Sequence, residues 1–236
     1  MSLYLLLNLG SVIIPFLYSF HPKLKLYKKW KYIFPAILFT MVYFVIWDVI
    51  FTRNGVWGFN ETYHSAIVFF SLPLEEWLFF ICIPYACVFT HYALLHYLPD
   101  TKLSMKMTNY LSVSFGTILF VLSFIFYHNA YTFIDFLIGG ILLLVVNNFH
   151  RKLLQRYFLT FIVMIIPFLV VNGILTGSFI ESEVVWYNNS ENLGLRVFTI
   201  PVEDFVYAFT LILSCLFFTE KLEMFFGYKK ELSPAT

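Results

Sequence analysis

Charged side chains are scarce in this chain. Of its 236 residues only 12% are Asp, Glu, Lys or Arg, whereas 60% are hydrophobic and 22% are aromatic. A soluble domain carries about 25% charged residues, so this chain lacks the charge needed to cover an ordinary globular surface. Together with a mean hydropathy of +0.79, the composition excludes a soluble protein and indicates an integral membrane protein.

The sequence also lacks the motifs of several enzyme classes. Its three cysteines, Cys82, Cys87 and Cys215, form no CxxC motif, and we assign them neither a disulfide nor a metal. The absence of a GxGxxG fingerprint argues against a dinucleotide site. The six histidines form no HxxxH or HxxHH box, which argues against a di-iron hydroxylase or desaturase. The sequence has no DDxxD or DxxxD motif, which argues against a magnesium site for prenyl transfer.

Long apolar runs dominate what is present. A transmembrane helix needs about 20 apolar residues, and seven candidate spans fall at 3–20, 32–51, 73–97, 109–127, 131–148, 157–175 and 199–219. Barrel strands would alternate polar and apolar residues. The sequence therefore predicts an all-α polytopic membrane protein with seven transmembrane helices. The first run has no preceding basic residues and no small-residue cleavage site, so we interpret it as a retained span.

The basic residues indicate an orientation in the membrane. Of the 15 Lys and Arg residues, Arg53 and Arg196 fall on one side of the predicted spans and the other 13 fall on the opposite side. The positive-inside rule makes the richer side cytoplasmic. We therefore expect a multi-pass protein of the cell (cytoplasmic) membrane, with its N-terminus outside and its C-terminus in the cytoplasm. The basic loops are expected to contact membrane lipid headgroups, and no nucleic-acid partner is expected.

A short acidic motif occurs twice. SLPLEEWLFF at 71–80 and TIPVEDFVYA at 199–208 share Ser/Thr, Pro, Glu, a second acid and an aromatic residue in register, 128 residues apart. Upstream, FVIWDVIFT at 44–52 aligns without gaps to FLVVNGILT at 168–176, 124 residues apart. These matches indicate an internal repeat.

The repeat predicts how the chain is organised. Asn8 in the first span matches Asp135 in the fifth span, so three spans recur on each side of a fourth. That single extra crossing gives both units the same orientation, related by an axis along the membrane normal. The predicted units are a first three-helix repeat at 1–98, a linking transmembrane helix at 99–130, a second three-helix repeat at 131–225 and a cytoplasmic tail at 226–236.

The four acids of the motifs, Glu75, Glu76, Glu203 and Asp204, have two possible roles. Pro followed by acids is the usual start of a helix, where carboxylates complement the helix dipole. However, intramembrane carboxylates are costly and indicate function, and here they recur in a chain with few other membrane acids. Two neighbouring carboxyls in an apolar site retain a proton that they can donate.

Other polar and aromatic residues are expected near the motif acids. Asp48, its counterpart Asn172, and Asp135 all fall near the outer ends of their spans. Desolvated aromatic rings can each stabilise a cation by about 1–2 kcal/mol, although lipid-facing and interfacial positions also favour aromatics. An acid beside an aromatic-lined apolar groove is suited to protonating an alkene and guiding the carbocation. The candidate groove residues are Trp47, Trp57, Trp77, Phe79, Phe80, Phe205 and Tyr207.

The motifs PLEE at 73–76, PVED at 201–204 and NGILT at 172–176 resemble those of the flavin-independent lycopene cyclases. In that family two small three-helix subunits form a heterodimer or occur fused in one chain, and the resemblance here covers residues 1–225 in a fused form. It implies a redox-neutral isomerisation, of the intramolecular lyase type and without a redox cofactor or metal. Lycopene or a related linear carotenoid is protonated at its end and closed to an ionone ring, expected to be β.

The resemblance also implies residue roles. Glu75 and Glu203 match the most characteristic acid of the motif, with Glu76 and Asp204 beside them. One of the four is expected to be the general acid, and the others to tune it or to hold the returning proton. Asp48, Asn172 and Asp135 are expected to lie next to these acids and to influence them without contacting the substrate. Association with other carotenoid enzymes is a further expectation.

Two other functions remain open from the sequence. A transporter would also contain repeats, intramembrane acids and helices broken at Pro73, Pro84 or Pro167, but its acids should form a relay, whereas the inner half of this chain offers no polar path. A non-catalytic carotenoid-binding protein would use the same apolar groove and tolerate loss of every acid.

Overall fold

Seven α-helices make up most of the computed structural model, which describes residues 1–232 and the side chains of residues 1–226. They are α1 (Leu3–Tyr18), α2 (Trp30–Arg53), α3 (Leu74–Tyr97), α4 (Met105–Ile125), α5 (Ala130–Phe149), α6 (Arg151–Leu175) and α7 (Val202–Leu232). Six are long and apolar enough to cross a membrane, whereas α1 has only 16 residues. The prediction of an all-α polytopic membrane protein is confirmed.

Six very short strands, which the sequence did not predict, lie in the loops that precede α3 and α7. They form three antiparallel pairs. The pairs are β1 (Trp57–Phe59) with β4 (Val185–Tyr187), β2 (Val68–Phe69) with β3 (Leu72–Pro73), and β5 (Arg196–Val197) with β6 (Ile200–Pro201). These strands lie at the end of the bundle where α1, α3, α5 and α7 begin, which we call the site end. A short 3-10 helix, Leu26–Lys29, lies at the other end.

The turns that lead into α3 and α7 have the same hydrogen bonds 128 residues apart. Leu74 N donates to Ile67 O at 2.9 Å, and Val202 N donates to Leu195 O at 3.0 Å. The β2–β3 and β5–β6 pairings likewise differ by 128 in every residue. The acidic motifs therefore enter the bundle in equivalent geometries.

The β1–β4 ribbon joins the two halves about a pseudo-two-fold axis. Its register pairs Trp57 with Tyr187, Gly58 with Trp186 and Phe59 with Val185. Adding 128 to the residue numbers of β1 gives those of β4. Exchanging the two repeats therefore leaves this antiparallel register unchanged, and the pseudo-two-fold axis passes through the Gly58–Trp186 pair. Because the Trp186 ring would lie 2.4 Å from a Cβ at position 58, the ring can lie across the first strand only with glycine there.

Helix α4 lies outside this symmetry and packs closely on α5. A Cβ at Gly140 would lie 2.9 Å from the carbonyl oxygen of Gly116, which shows that the two backbones meet without intervening side chains. Small residues at a helix crossing permit such approach in membranes. The role of α4 as a linking helix stays a prediction.

Two observations bear on the expected features of a transporter. Pro84 and Pro167 lie inside helices that continue through them, and Pro73 immediately precedes α3, so none of the three breaks a helix. The inner half is also less purely apolar than expected, because buried His91 contacts Thr160 Oγ1 through Nδ1 at 2.9 Å.

Candidate active site

The first acid of each motif holds the local fold together. Glu75 accepts hydrogen bonds from the backbone N and the hydroxyl of Ser65, at 2.8 and 3.0 Å. In the other half, Glu203 Oε1 accepts from the Thr132 hydroxyl at 2.6 Å and from Leu193 N at 2.8 Å. Glu75 and Glu203 thus fasten the helix starts to the preceding loops.

The second acid of the first motif meets another carboxyl. Glu76 accepts a hydrogen bond from the Tyr4 hydroxyl, and its carboxyl lies within hydrogen-bonding reach of the Asp48 carboxyl. Trp57 Nε1 donates to Asp48 Oδ1 at 2.6 Å, whereas Asp48 Oδ2 is buried without a donor among the described residues. Two neighbouring carboxyls in an apolar site retain a proton more readily than one carboxyl alone.

The second acid of the second motif is surrounded by donors instead. Asp204 accepts from the Tyr131 hydroxyl at 2.7 Å, from Asn172 Nδ2 at 2.7 Å and from the Tyr187 hydroxyl at 3.0 Å. Tyr187 lies in a loop outside the helices, where burial and the nearby Asp204 raise its pKa well above the ordinary value. Its hydroxyl therefore stays protonated and remains a donor to Asp204.

Asp135 lies in the same half, near enough to Asp204 and Glu203 for their charges to interact with it. It is fully buried, and neither carboxyl oxygen has a hydrogen-bond partner among the described residues. Its counterpart Asn8 donates from Nδ2 to the Glu75 carbonyl oxygen at 2.8 Å. A protonated Asp135 can donate in the same way, whereas an ionised one cannot.

A cavity of about 580 Å³ lies between α1, α3, α6 and α7. At the site end its wall contains Asp48, Glu76, Asn172 and Asp204, and most of the remaining wall is aliphatic or aromatic. Glu75, Glu203 and Asp135 are not part of the wall. The structure thus brings three of the predicted acids to one apolar space and places the other three outside it.

The cavity reaches the lipid-facing surface between α1 and α6. Three residues of its wall are also exposed on the outside of the bundle: Leu6 at 47%, Ile14 at 62% and Val170 at 58%. All three are aliphatic, so the rim of the opening is suited to contact with acyl chains. A hydrocarbon dissolved in the membrane can enter there.

Large aromatic residues fill the pseudo-symmetric position between α2 and α5. Trp47 and Phe51 of α2 lie 6.4 and 6.5 Å from the Tyr131 ring, measured between centroids. At the matching positions of α6 the chain has the smaller Val171 and Leu175, both of which line the cavity. This difference in side-chain size explains why the fold has a cavity on one side of its pseudo-axis.

Comparison with protein families shows which family the chain belongs to. The family model described as "Lycopene cyclase" matches residues 1–94 and 128–222, which together make up most of the chain. The chain belongs to the lycopene cyclase family. Comparisons with curated proteins and with solved structures gave no significant match.

Family membership agrees with the internal correspondence of this cyclase. The two matched segments begin 127 residues apart and end 128 residues apart, the same spacings that relate Tyr4 to Tyr131 and Glu76 to Asp204. Residues 95–127, which contain the whole of α4, are outside both segments. Membership implies a cyclase that acts on a linear carotenoid.

The predicted groove aromatics of the cyclase occupy different environments. Phe79, Tyr207 and Trp57 line the cavity. Trp47 is outside the wall and packs against Tyr207, and Phe205 packs on Phe168 of the cavity wall. Phe80 is buried in the core. Trp77 donates a hydrogen bond to Phe69 O, away from the cavity. The assignment of all these residues to substrate binding stays a prediction, which the cavity favours for the first three.

Three tyrosines of the cyclase site were missed from the sequence. Tyr4 and Tyr131 donate to Glu76 and Asp204, and Tyr187 donates to Asp204 as well. Tyr4 and Tyr131 could have been found, since each stands four residues before a matched polar residue of the repeat. Tyr187 gave no such signal, because position 59, its counterpart, is Phe.

Proposed function

We propose that this chain closes the linear ends of lycopene, or of a related linear carotenoid, to ionone rings of the β type in a redox-neutral reaction. One observation carries the proposal beyond family membership: the second acid of each motif, Glu76 and Asp204, lines an apolar cavity that opens toward lipid. This arrangement supports acid–base chemistry on a hydrocarbon substrate.

The cavity wall suits a hydrocarbon that carries a transient positive charge. The rings of Trp57, Tyr131 and Tyr207 line it together, with centroids 5.0 Å apart for Trp57 and Tyr131 and 6.5 Å apart for Trp57 and Tyr207. Their faces can stabilise a desolvated carbocation. Exclusion of water by the apolar wall would also protect the cation from capture.

The reaction needs a proton donor and no net change of charge or oxidation state. A carboxyl of the cavity wall adds a proton to the terminal alkene, and a neighbouring double bond attacks the resulting cation to close the ring. Loss of a different proton then restores a neutral product. Glu75 and Glu203 are less suited to this step, since their hydrogen bonds fasten them to the loops outside the cavity.

The membrane context forms part of the proposal. We infer a cell (cytoplasmic) membrane protein with the site end outside and the basic end in the cytoplasm, organised as repeats at 1–98 and 131–225 around a linking helix. Because substrate and product both dissolve in the bilayer, association with other carotenoid enzymes would shorten the path between active sites.

The test is expression in bacteria that accumulate lycopene. Membranes that contain the native chain should convert lycopene to cyclic carotenoids that are separated by chromatography, while the double variant Glu76→Gln/Asp204→Asn at equal membrane abundance should not. Unchanged lycopene with the native chain in the membrane would favour a transporter or a binding protein. Equal conversion by the double variant would show that the acids are not catalytic.

A further inference from the structure

We propose that the two halves of the site do different chemistry: the Asp48–Glu76 pair delivers the proton that starts cyclisation, and Asp204 removes the proton that ends it. In this scheme Tyr187 positions Asp204 and so determines which ring type forms. The inference rests on the proposed function and assigns separate steps to residues that the internal repeat makes formally equivalent.

The first half is built to hold a proton. Asp48 corresponds to Asn172 in the repeat, so only the first half has a carboxyl at this position of α2 and α6. The Tyr4 hydroxyl and Trp57 Nε1 each donate to one member of the pair, and Asp48 Oδ2 is left without a donor among the described residues. A proton carried on Glu76 satisfies that oxygen, and both residues lie in the cavity wall.

The second half is built to hold a negative charge. Asn172 supplies an amide donor where the first half has a carboxyl, and Tyr131 and Tyr187 supply two hydroxyl donors. A carboxylate that accepts three hydrogen bonds is stabilised in its ionised form, and it is held in one orientation. Asp204 therefore can accept a proton and can stabilise the cation before it does so.

The β1–β4 ribbon reinforces the difference between the halves. Trp57 and Tyr187 are paired across the ribbon, and Trp57 donates to Asp48 while Tyr187 donates to Asp204. Their own repeat counterparts, Val185 and Phe59, carry no donor. Each half thus has one ribbon residue that donates to an acid, and the two donors occupy non-equivalent positions of the repeat.

The proton and the electron pairs balance without an external reagent. The pair's proton forms a C–H bond at the terminal alkene carbon, and the π electrons of the neighbouring double bond form the ring C–C bond. Asp204 then takes a proton from a carbon beside the ring cation, and the electrons of that C–H bond become the ring double bond. Return of the proton from Asp204 to the pair resets the site.

Ring type follows from where the base sits. The ring cation has acidic protons on more than one neighbouring carbon, and the choice among them yields β, ε or γ rings. A base fixed by three donors selects one of these protons. Removing the Tyr187 donor would loosen Asp204 without removing the base itself.

The test compares Tyr187→Phe with the native chain and with Tyr63→Phe, which removes a hydroxyl from the same end of the bundle outside the cavity wall. Each is expressed in lycopene-accumulating bacteria, and β, ε and γ products are quantified per amount of membrane protein. Tyr187→Phe should shift the ratio of ring types by about ten-fold, the size expected when one hydrogen bond that holds a charged base is lost. Tyr63→Phe should give the native ratio.

Two further variants separate the roles of the halves. Asp48→Asn should lower total conversion by about 100-fold or more, as expected for loss of general acid catalysis, while any product keeps the native ring ratio. Asp204→Asn should lower conversion and shift the ratio in its residual product. A native ring ratio in Tyr187→Phe, or a shifted one in Asp48→Asn, would overturn the division. Absence of cyclic product with the native chain would instead refute the proposed function on which it rests.

Discussion

The sharpest prediction compares neighbouring acids of one motif, Glu76→Gln against Glu75→Gln. Gln at position 76 can still accept from Tyr4, and its amide can donate to the unpartnered Asp48 Oδ2, so the fold should survive. What is lost is the transferable proton. General acids contribute roughly 10²–10⁴ in rate, or about 3–5 kcal/mol of activation free energy, and the variant should lose activity by that factor.

Glu75→Gln should show the reverse pattern. Its carboxylate accepts from Ser2 Oγ at 2.6 Å and from Ser65 N and Oγ at 2.8 and 3.0 Å. A neutral amide weakens these charge-assisted bonds, so the free energy of unfolding should fall by about 1–3 kcal/mol. Activity per folded molecule should stay near native, because Glu75 is outside the cavity wall.

The assay measures cyclised carotenoid per amount of folded membrane protein, together with thermal unfolding in detergent. Full activity in Glu76→Gln, or a large loss per folded molecule in a stable Glu75→Gln variant, would refute the separation of roles. The matching pair in the second half, Asp204→Asn and Glu203→Gln, repeats the comparison in the same assay.

Three more predictions follow from the packing. Val171→Trp, which places in α6 the residue found at the matching position of α2, should fill the cavity and lower conversion at least ten-fold with unchanged unfolding temperature; native conversion would contradict the assigned entry. Gly140→Val should destabilise the α4–α5 contact by about 1–3 kcal/mol through overpacking, measured as a lower unfolding temperature, whereas Gly10→Ala, with no atom near its Cβ, should not. Asp135→Asn gives position 135 the residue of its first-repeat counterpart, Asn8, so the variant should keep native stability and activity. Loss of activity at native stability would assign Asp135 a proton-transfer role.

The membrane class and the helices could be predicted from the sequence, because both depend on local composition. Long apolar runs leave few alternatives to helices in a bilayer. The register of PLEE and PVED required both motifs to enter the bundle in the same way, and the equivalent turns before α3 and α7 agree with this.

The separation of Glu75 from Glu76 could not be predicted from the motif. Adjacent residues in the first turn of a helix point about 100° apart, so one faced the loop and the other faced the cavity. Which one did so depends on the path of residues 57–73, whose short strands gave no clear signal in the sequence. The donors Trp57 and Tyr187 come from that same kind of segment and needed the β1–β4 register to be placed.

The cavity itself depends on side-chain volume at pseudo-equivalent positions. Trp47 and Phe51 fill one side of the bundle. The opening on the other side results from Val171 and Leu175. Such a difference is visible only when both halves are packed around one axis.

The most direct test of carotenoid cyclisation uses the purified native chain in lipid vesicles loaded with lycopene, with no flavin or nicotinamide added. We predict a cyclic product of the same mass as lycopene, formed in proportion to the protein and absent with Glu76→Gln/Asp204→Asn. A native chain that leaves lycopene unchanged, or that yields a product of different mass, would contradict a redox-neutral cyclase.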